Sequence, residues 1–269
     1  MTCRVEDIVR IMEQIAPKEH AESWDNVGLL VGSYAAPVKK IMVCLDITLD
    51  TIDFAIDQGV NMIISHHPVI FKALAAINDK NIVAKRLLSL IRAGISVYSA
   101  HTNLDRARSG MDDALAQVLG LVDPRPLLAV TKGEPASFGR IGQLGQAMEL
   151  KAYLQRLAKD LQTKRISFIG DERSKVKTIA SCAGAGGDFL EDAIRAGADL
   201  FITGEMKHSE LVACLDIQMP VAVLGHYETE MPGVASLIKH LQSLINSLQY
   251  NVEVIPANDY YNRVRVLEE

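Results

Sequence analysis

The sequence has few cysteines, no long apolar run and no excess of positive charge. Its four cysteines form no C-x-x-C pair, which favours small buried side chains over disulfides or a cysteine zinc site. No apolar stretch approaches the roughly 18 residues of a membrane span, so no membrane partner is expected. The net charge of −5 and the pI of about 5.8 argue against nucleic acid as a partner.

The chain also lacks a recognisable secretion signal, because its first seven residues do not pass from a charged to an apolar segment. A cytoplasmic location is therefore expected. Its 269 residues can form one large domain or two small ones. With 49% apolar and 23% charged residues, the composition is that of an ordinary globular protein.

Apolar periodicity predicts alternating strands and helices along the chain. Strands are predicted near 40–47, 61–65, 95–100, 165–169, 176–182, 199–203, 221–224, 251–256 and 262–267. Helices are predicted near 5–16, 50–58, 80–92, 109–119, 148–161, 189–196 and 232–248. Two helix starts carry specific predictions: Ser109 with Asp112 as a capping box, and Pro232 in the first turn of the last helix. Glu230 would then lie where that last helix begins.

The two halves of the chain resemble each other. Residues 55–67 and 193–205 both run from a helix through a glycine into an apolar strand, and proline- and glycine-rich residues 124–147 lie between the halves. We predict an α/β fold with two lobes of duplicated β-α-β units and a metal site in the cleft between them. The first lobe would comprise 1–124 plus about 230–269, and the second about 125–229. Alternatively, such helix-glycine-strand patterns simply recur in α/β proteins.

Three predicted strands end in metal-binding residue types. His66 and His67 follow the strand at 61–65, His101 precedes Asp105 by four residues, and His226 precedes Glu230 by four residues. Strand ends are where α/β proteins place ligands, and imidazole with carboxylate suits Zn²⁺, Mn²⁺, Fe²⁺, Ni²⁺ or Co²⁺. A single histidine at a strand end is usually structural, but this combination favours one or two divalent ions.

Several roles stay open at this level. His66 and His67 either converge or serve different ions, since neighbouring strand residues face opposite ways. Glu230 is the preferred bridge between two ions because it reaches further than Asp105. His101 is a ligand, a proton shuttle or, as we prefer, a hydrogen-bond partner of a ligand.

Four further features have two interpretations each. Glu205 and His208 either line the same cleft or mark a solvated helix start. Trp24, the single tryptophan, either stacks on a base or packs ordinarily. The glycines at 184–187 could hold an anion, but a tight turn is favoured.

Five short sequence motifs together resemble those of the Nif-three-like family, whose members are often labelled GTP cyclohydrolase 1 type 2 homologues. They are SWDNVGL at 23–29, SHHP at 65–68, AHTNLD at 100–105, TGE at 203–205 and GHYETE at 225–230. They cover nearly the whole chain in the family's order. The length fits the short form of the family, without its middle insertion.

The resemblance implies a two-lobed fold, a dinuclear metal site and a homohexameric, toroidal assembly. By motif, His67 and Asp105 would hold one ion, His66 and His226 the other, and Glu230 both. These implications suggest a metal-dependent hydrolase of a nucleotide or related phosphorylated small molecule, with His101 and Glu230 as catalytic residues. The alternative is a non-catalytic metal-binding, regulatory or adaptor protein.

Overall fold

Strands and helices alternate along residues 2–128, 137–164 and 166–258, which the computed structural model describes. These residues form a mixed α/β fold with two sheets, as predicted. Contacts divide them into two units: residues 2–107 with 234–258, and residues 108–233. All four cysteines are buried, also as predicted.

The elements follow each other in this order. The first are α1 (Val5–Ile15), β1 (Gly28–Val31), β2 (Lys40–Cys44), α2 (Leu49–Asp57), β3 (Met62–Ser65), α3 (Ile82–Ala93), β4 (Ser96–Ser99), α4 (Thr102–Arg106) and α5 (Met111–Leu119). Then come β5 (Val122–Pro126), β6 (Arg140–Glu149), α6 (Leu150–Asp160), β7 (Ser167–Ile169), β8 (Lys175–Cys182), α7 (Leu190–Arg195), β9 (Leu200–Thr203), α8 (His208–Ile217), β10 (Val221–Val223), α9 (His226–Ser247) and β11 (Glu253–Pro256).

The first unit contains a five-stranded sheet in the order β1-β4-β3-β2-β11. Strands β4, β3, β2 and β11 are parallel, and β1 joins β4 antiparallel. The helices between them are well specified: the Thr48 hydroxyl caps α2, the Asn81 side chain caps α3, and Gly94 ends α3 in the left-handed conformation. Parallel strands end at one sheet edge, so the residues after β2, β3 and β4 meet there.

The second unit contains a six-stranded sheet in the order β5-β6-β8-β9-β10-β7. Its middle strands β8, β9 and β10 are parallel, whereas β5, β6 and β7 pair antiparallel. Helix α5 belongs here because Leu115 and Leu119 pack with Tyr153 and Leu200 in one buried cluster. Residues 108–124 lie in this second unit, whereas the sequence-based prediction placed them in the first lobe.

Each unit holds three adjacent parallel strands connected by helices, β2-α2-β3-α3-β4 in the first and β8-α7-β9-α8-β10 in the second. The matching segment at 55–67 covers the end of α2 and all of β3, and the one at 193–205 covers the end of α7 and all of β9. The repeated topology agrees with the duplicated units inferred from sequence. Descent from a duplication stays a prediction.

The structure corrects two predicted helix starts. Helix α5 begins at Met111, because Ser109 has a positive φ of 59° and the Asp112 carboxylate accepts from Gly139 and Ala183 instead of capping. Helix α9 begins at His226, so Pro232 lies inside it. Glu230 is therefore one turn into α9 rather than at its start.

Five elements lie outside the predicted strands and helices, namely β1, β5, β6, α4 and α8, and the predicted strand at 262–267 lies outside the described residues. Across the described residues, no helix combines the length and apolar character that a bilayer span requires.

Candidate metal centre

The end of β3 places two histidines at the edge of the first sheet. The parallel ladder continues past the strand, since His66 N donates to Cys44 O at 3.0 Å and His67 N donates to Leu45 O at 2.9 Å. The Ser65 hydroxyl donates to His67 O at 2.9 Å. These bonds hold the backbone of both histidines firmly.

His66, His67 and His101 come together at this edge. One ring nitrogen from each lies within 4.8 Å of those of the other two. The ring centroids of His66 and His67 are 5.0 Å apart, and that of His101 lies 5.1 Å from His66 and 5.6 Å from His67. The two adjacent histidines therefore lie close together, and whether they hold one ion or two stays a prediction.

All three imidazoles direct Nδ1 at an oxygen acceptor. His66 Nδ1 lies 2.9 Å from the carbonyl oxygen of Ala100, His67 Nδ1 lies 2.8 Å from Asp46 Oδ1, and His101 Nδ1 lies 3.0 Å from Asp25 Oδ1. A carbonyl or carboxylate oxygen only accepts, so each neutral ring carries its proton on Nδ1 and its lone pair on Nε2. This is the tautomer and support that metal-binding histidines have in proteins.

Asp25 is the most enclosed of these acceptors, with 0% of its side chain exposed. Its Oδ2 accepts from Thr102 N at 3.0 Å and from the Thr102 hydroxyl. Burial alone would raise the pKa of this carboxyl. The hydrogen bonds from His101 and Thr102, with the charge that His101 can carry, outweigh burial and lower the pKa to about 2. Asp25 is thus an ionised, buried support for His101.

Asp105 lies on α4, one turn after His101, whose carbonyl accepts from Asp105 N at 3.1 Å. Its Oδ1 lies 3.5 Å from His66 Nε2. A carboxylate therefore joins the imidazoles of the first unit. The short helix α4 was not predicted, but the four-residue spacing of His101 and Asp105 fits a helical turn.

The second unit holds a separate pair of predicted ligands, His226 and Glu230, on successive turns of α9. His226 Nε2 lies 3.0 Å from Glu230 Oε1, and the Glu230 side chain is almost fully buried. A methyl group on Gly184 would lie 2.3 Å from the same oxygen. Only glycine fits at 184, where φ is +63°. Whether all five predicted ligands share one dinuclear centre stays a prediction.

Glu205 and His208 differ in what they contact. Glu205 Oε1 lies 3.3 Å from His226 Nδ1, so Glu205 supports this imidazole as Asp46 supports His67. His208 is the exposed first residue of α8.

The glycine-rich segment at 184–187 is a turn that hydroxyls hold in place. Gly184 N donates to the Thr229 hydroxyl at 3.1 Å, and Gly186 N donates to the Thr203 hydroxyl at 2.9 Å. Because both N–H groups already donate to threonine hydroxyls of the protein, the geometry agrees with a tight turn rather than an anion site.

The carboxylates that hold Nδ1 of His101 and His67, those of Asp25 and Asp46, were not predicted from the sequence. Asp46 follows β2 as His66 follows β3, so the strand-end argument applied to it equally. Asp25 lies in the SWDNVGL motif, directly after Trp24, which was the residue singled out in that motif.

Comparison with known proteins places this chain in a family. A sequence profile described as Duf34/NIF3 (NGG1p interacting factor 3) matches residues 3–262. The chain belongs to this family. The resemblance to the Nif-three-like family, based on the five motifs, is thereby confirmed.

Family members with assigned names are similar over almost their full length. A Clostridium acetobutylicum protein named "GTP cyclohydrolase 1 type 2 homolog" is 36% identical over 261 residues, 96% of this chain and 97% of that protein. One of the same name from Clostridium perfringens is 32% identical, over 95% and 97% of the two chains.

Solved structures of similar proteins have the same fold. A Staphylococcus aureus protein of 25% identity superposes with a TM-score of 0.92, over 99% of this chain and 100% of that one. A Bacillus cereus protein described as related to NIF3 gives 0.91 at 22% identity, over 97% and 98%.

Proposed function

We propose that this protein is a metal-dependent hydrolase of a nucleotide or related phosphorylated small molecule. Its ligands would be His66, His67, Asp105, His226 and Glu230, holding two divalent ions per chain. The observation that carries the proposal is the convergence of three imidazoles whose Nδ1 atoms all meet oxygen acceptors.

The donor set fits a transition-metal ion. Imidazole nitrogens with carboxylate oxygens suit Zn²⁺, Mn²⁺, Fe²⁺, Ni²⁺ or Co²⁺, whereas Mg²⁺ and Ca²⁺ prefer oxygen ligands alone. The backbone bonds at His66 and His67 and the acceptors at each Nδ1 orient the rings before any ion binds, which lowers the cost of assembling the site.

The chemistry divides between the ions and the side chains. Divalent ions, when bound, polarise an electrophile and stabilise the negative charge that develops during hydrolysis. His101 would move a proton at Nε2 as general acid or base. Asp25, which holds Nδ1–H, would keep the ring oriented and stabilise its protonated form.

The substrate class rests on the relatives. Their name, GTP cyclohydrolase 1 type 2 homolog, supports a nucleotide or a similar phosphorylated compound. Hydrolysis of a purine ring or of a phosphoester would both use this chemistry.

Metal content tests the site directly. We expect freshly purified protein to contain about two equivalents of divalent metal per chain, and His67→Ala and Glu230→Gln each to lose metal. His240→Ala, a histidine without an assigned role, should keep the full content. Unchanged metal in the two ligand variants would refute the ligand assignment.

Turnover tests the reaction separately. Protein loaded with Mn²⁺, Zn²⁺ or Fe²⁺ should hydrolyse at least one member of a panel of nucleotides and sugar phosphates. Full metal occupancy with no turnover across the panel would favour the non-catalytic, regulatory alternative.

A homohexameric, toroidal assembly is part of the proposal, by family resemblance. Light scattering coupled to size exclusion should then give the mass of six chains of 29.4 kDa. A monomer or dimer mass at micromolar concentration would remove this part and leave the metal site standing.

A further inference from the structure

Two large aromatic side chains stand in solvent beside the histidine cluster. Trp24 is 60% exposed and Phe71 is 52% exposed, and their ring centroids lie 5.9 Å apart at an interplanar angle of 57°. We call these two rings the aromatic pair. Exposed tryptophan costs solvation free energy that folding normally recovers by burial, so such a pair indicates a surface that a ligand covers.

The aromatic pair adjoins the proposed centre. His101 is an edge-on neighbour of both rings, with centroid distances of 6.2 Å to Trp24 and 6.1 Å to Phe71. A molecule lying on the pair would therefore be next to the imidazole proposed to move a proton.

The backbone beneath the pair is tightly held although the rings are exposed. Trp24 precedes Asp25, whose buried carboxylate is bonded to His101 and Thr102. Phe71 follows Ile70, whose carbonyl accepts from Asn26 Nδ2 at 2.6 Å. The loops that carry the two rings are thus tied to each other and to the histidine cluster. Such pre-organisation lowers the entropic cost of binding.

We propose that the aromatic pair is the subsite that recognises a planar heteroaromatic ring, such as a nucleobase. The proposal rests on the proposed function, which it deepens by naming what selects the substrate. A π-face suits the exposed rings, and the polar edge of a heterocycle suits a neighbouring imidazole and carboxylates. A purely apolar occupant would leave those polar groups without a use.

Trp24 makes the proposal measurable, because it is the only tryptophan in the chain. Its emission, excited at the red edge of its absorption band, reports on the pair alone. We expect guanosine 5′-monophosphate and adenosine 5′-monophosphate to quench this emission saturably. Ribose 5-phosphate, which has the phosphate and sugar but no base, should leave it unchanged.

Variants of Phe71 test stacking while keeping the reporter. Phe71→Ala should weaken nucleotide binding by about 5- to 150-fold, the usual effect of removing one stacking ring, and Phe71→Tyr should retain it. Tyr34→Ala, which removes another exposed aromatic ring of the same unit, is the matched control and should bind normally. Equilibrium dialysis should show the same weakening for Trp24→Leu.

Several results would overturn the proposal: no saturable quenching, equal binding of ribose 5-phosphate, or undiminished binding by Phe71→Ala. A lower oligomer mass for Phe71→Ala with unchanged nucleotide binding would instead make the pair a contact between copies. Metal content, measured in the same samples, separates the two hypotheses. Full metal without nucleotide quenching refutes only the aromatic subsite, whereas quenching without metal uptake refutes only the metal centre.

Discussion

Asp25 Oδ1 and His101 Nδ1 lie 3.0 Å apart, and this contact fixes which nitrogen of His101 faces the cluster. The carboxylate is fully buried and also accepts two hydrogen bonds from Thr102. Because an ionised carboxylate can only accept, His101 must donate from Nδ1. The lone pair of the neutral ring is therefore directed at His66 and His67.

Asp25→Asn tests this control of the tautomer. The substitution is nearly isosteric, and the asparagine oxygen can still accept from Thr102, but its NH₂ group would then face His101 Nδ1. We expect His101 to move its proton to Nε2, turning a donor toward the cluster. Turnover by the metal-loaded variant, for which His101 must accept or donate a proton at Nε2, should fall by about 10- to 100-fold.

Stability provides the check on this variant. Loss of the charged acceptor should lower the free energy of unfolding by about 1–3 kcal/mol, while the exposed control Asp53→Asn changes neither stability nor turnover. Turnover equal to that of the unmodified protein, in a folded and metal-loaded Asp25→Asn variant, would contradict the tautomer argument.

Asp46→Asn should lower zinc affinity, because Asp46 holds Nδ1 of His67, a proposed metal ligand, at 2.8 Å. The side chain of Asp46 is 41% exposed, and water can replace part of a lost hydrogen bond at an exposed position. We therefore expect a loss of about ten-fold, the lower end of the usual range, measured by competition with a chelator. An affinity equal to that of Asp53→Asn would contradict this role of Asp46.

The ligand types of this site were readable from sequence because they follow parallel strands. His66, His67 and His101 come directly after apolar runs, and the ends of such runs meet at one sheet edge. Their ring orientation was not readable, because it depends on Asp25 and Asp46, which are 76 and 21 positions away from the histidines they hold.

The start of α5 shows a tertiary contact overriding a local preference. Ser109 and Asp112 have the spacing of a capping box, but the Asp112 carboxylate accepts hydrogen bonds from Gly139 and Ala183 instead. Pro232 suits a first helical turn, yet α9 starts six residues earlier.

Gly184→Ala should release Glu230 from its position. The added methyl carbon would lie 2.3 Å from Glu230 Oε1 and 3.3 Å from His226 Nε2, so the carboxylate must move. We expect metal content to fall as in Glu230→Gln. Gly197→Ala is the matched control, because Gly197 also has a positive φ but has nothing within 4 Å of the added carbon. Both variants bear a backbone cost of about 1–2 kcal/mol for a side chain in the left-handed region, so equal metal content in the two would refute the steric argument.

Asp112 should make stability fall as pH rises through the mildly acidic range. Burial raises the pKa of its carboxyl to about 6, although Arg140 and the N–H groups of Ala183 and Gly139 oppose the shift. An unfolded aspartate titrates near 3.9, so the folded state binds the proton more tightly. The free energy of unfolding should therefore drop by about 3 kcal/mol between pH 4 and pH 6 and then level off.

Asp112→Asn isolates this contribution, because asparagine is neutral at every pH in the range. The difference in stability between the unmodified protein and Asp112→Asn, from urea unfolding at a series of pH values, should change by that amount in favour of the variant as pH rises. A flat difference for Asp112→Asn would show that the buried carboxyl does not hold a proton in the mildly acidic range.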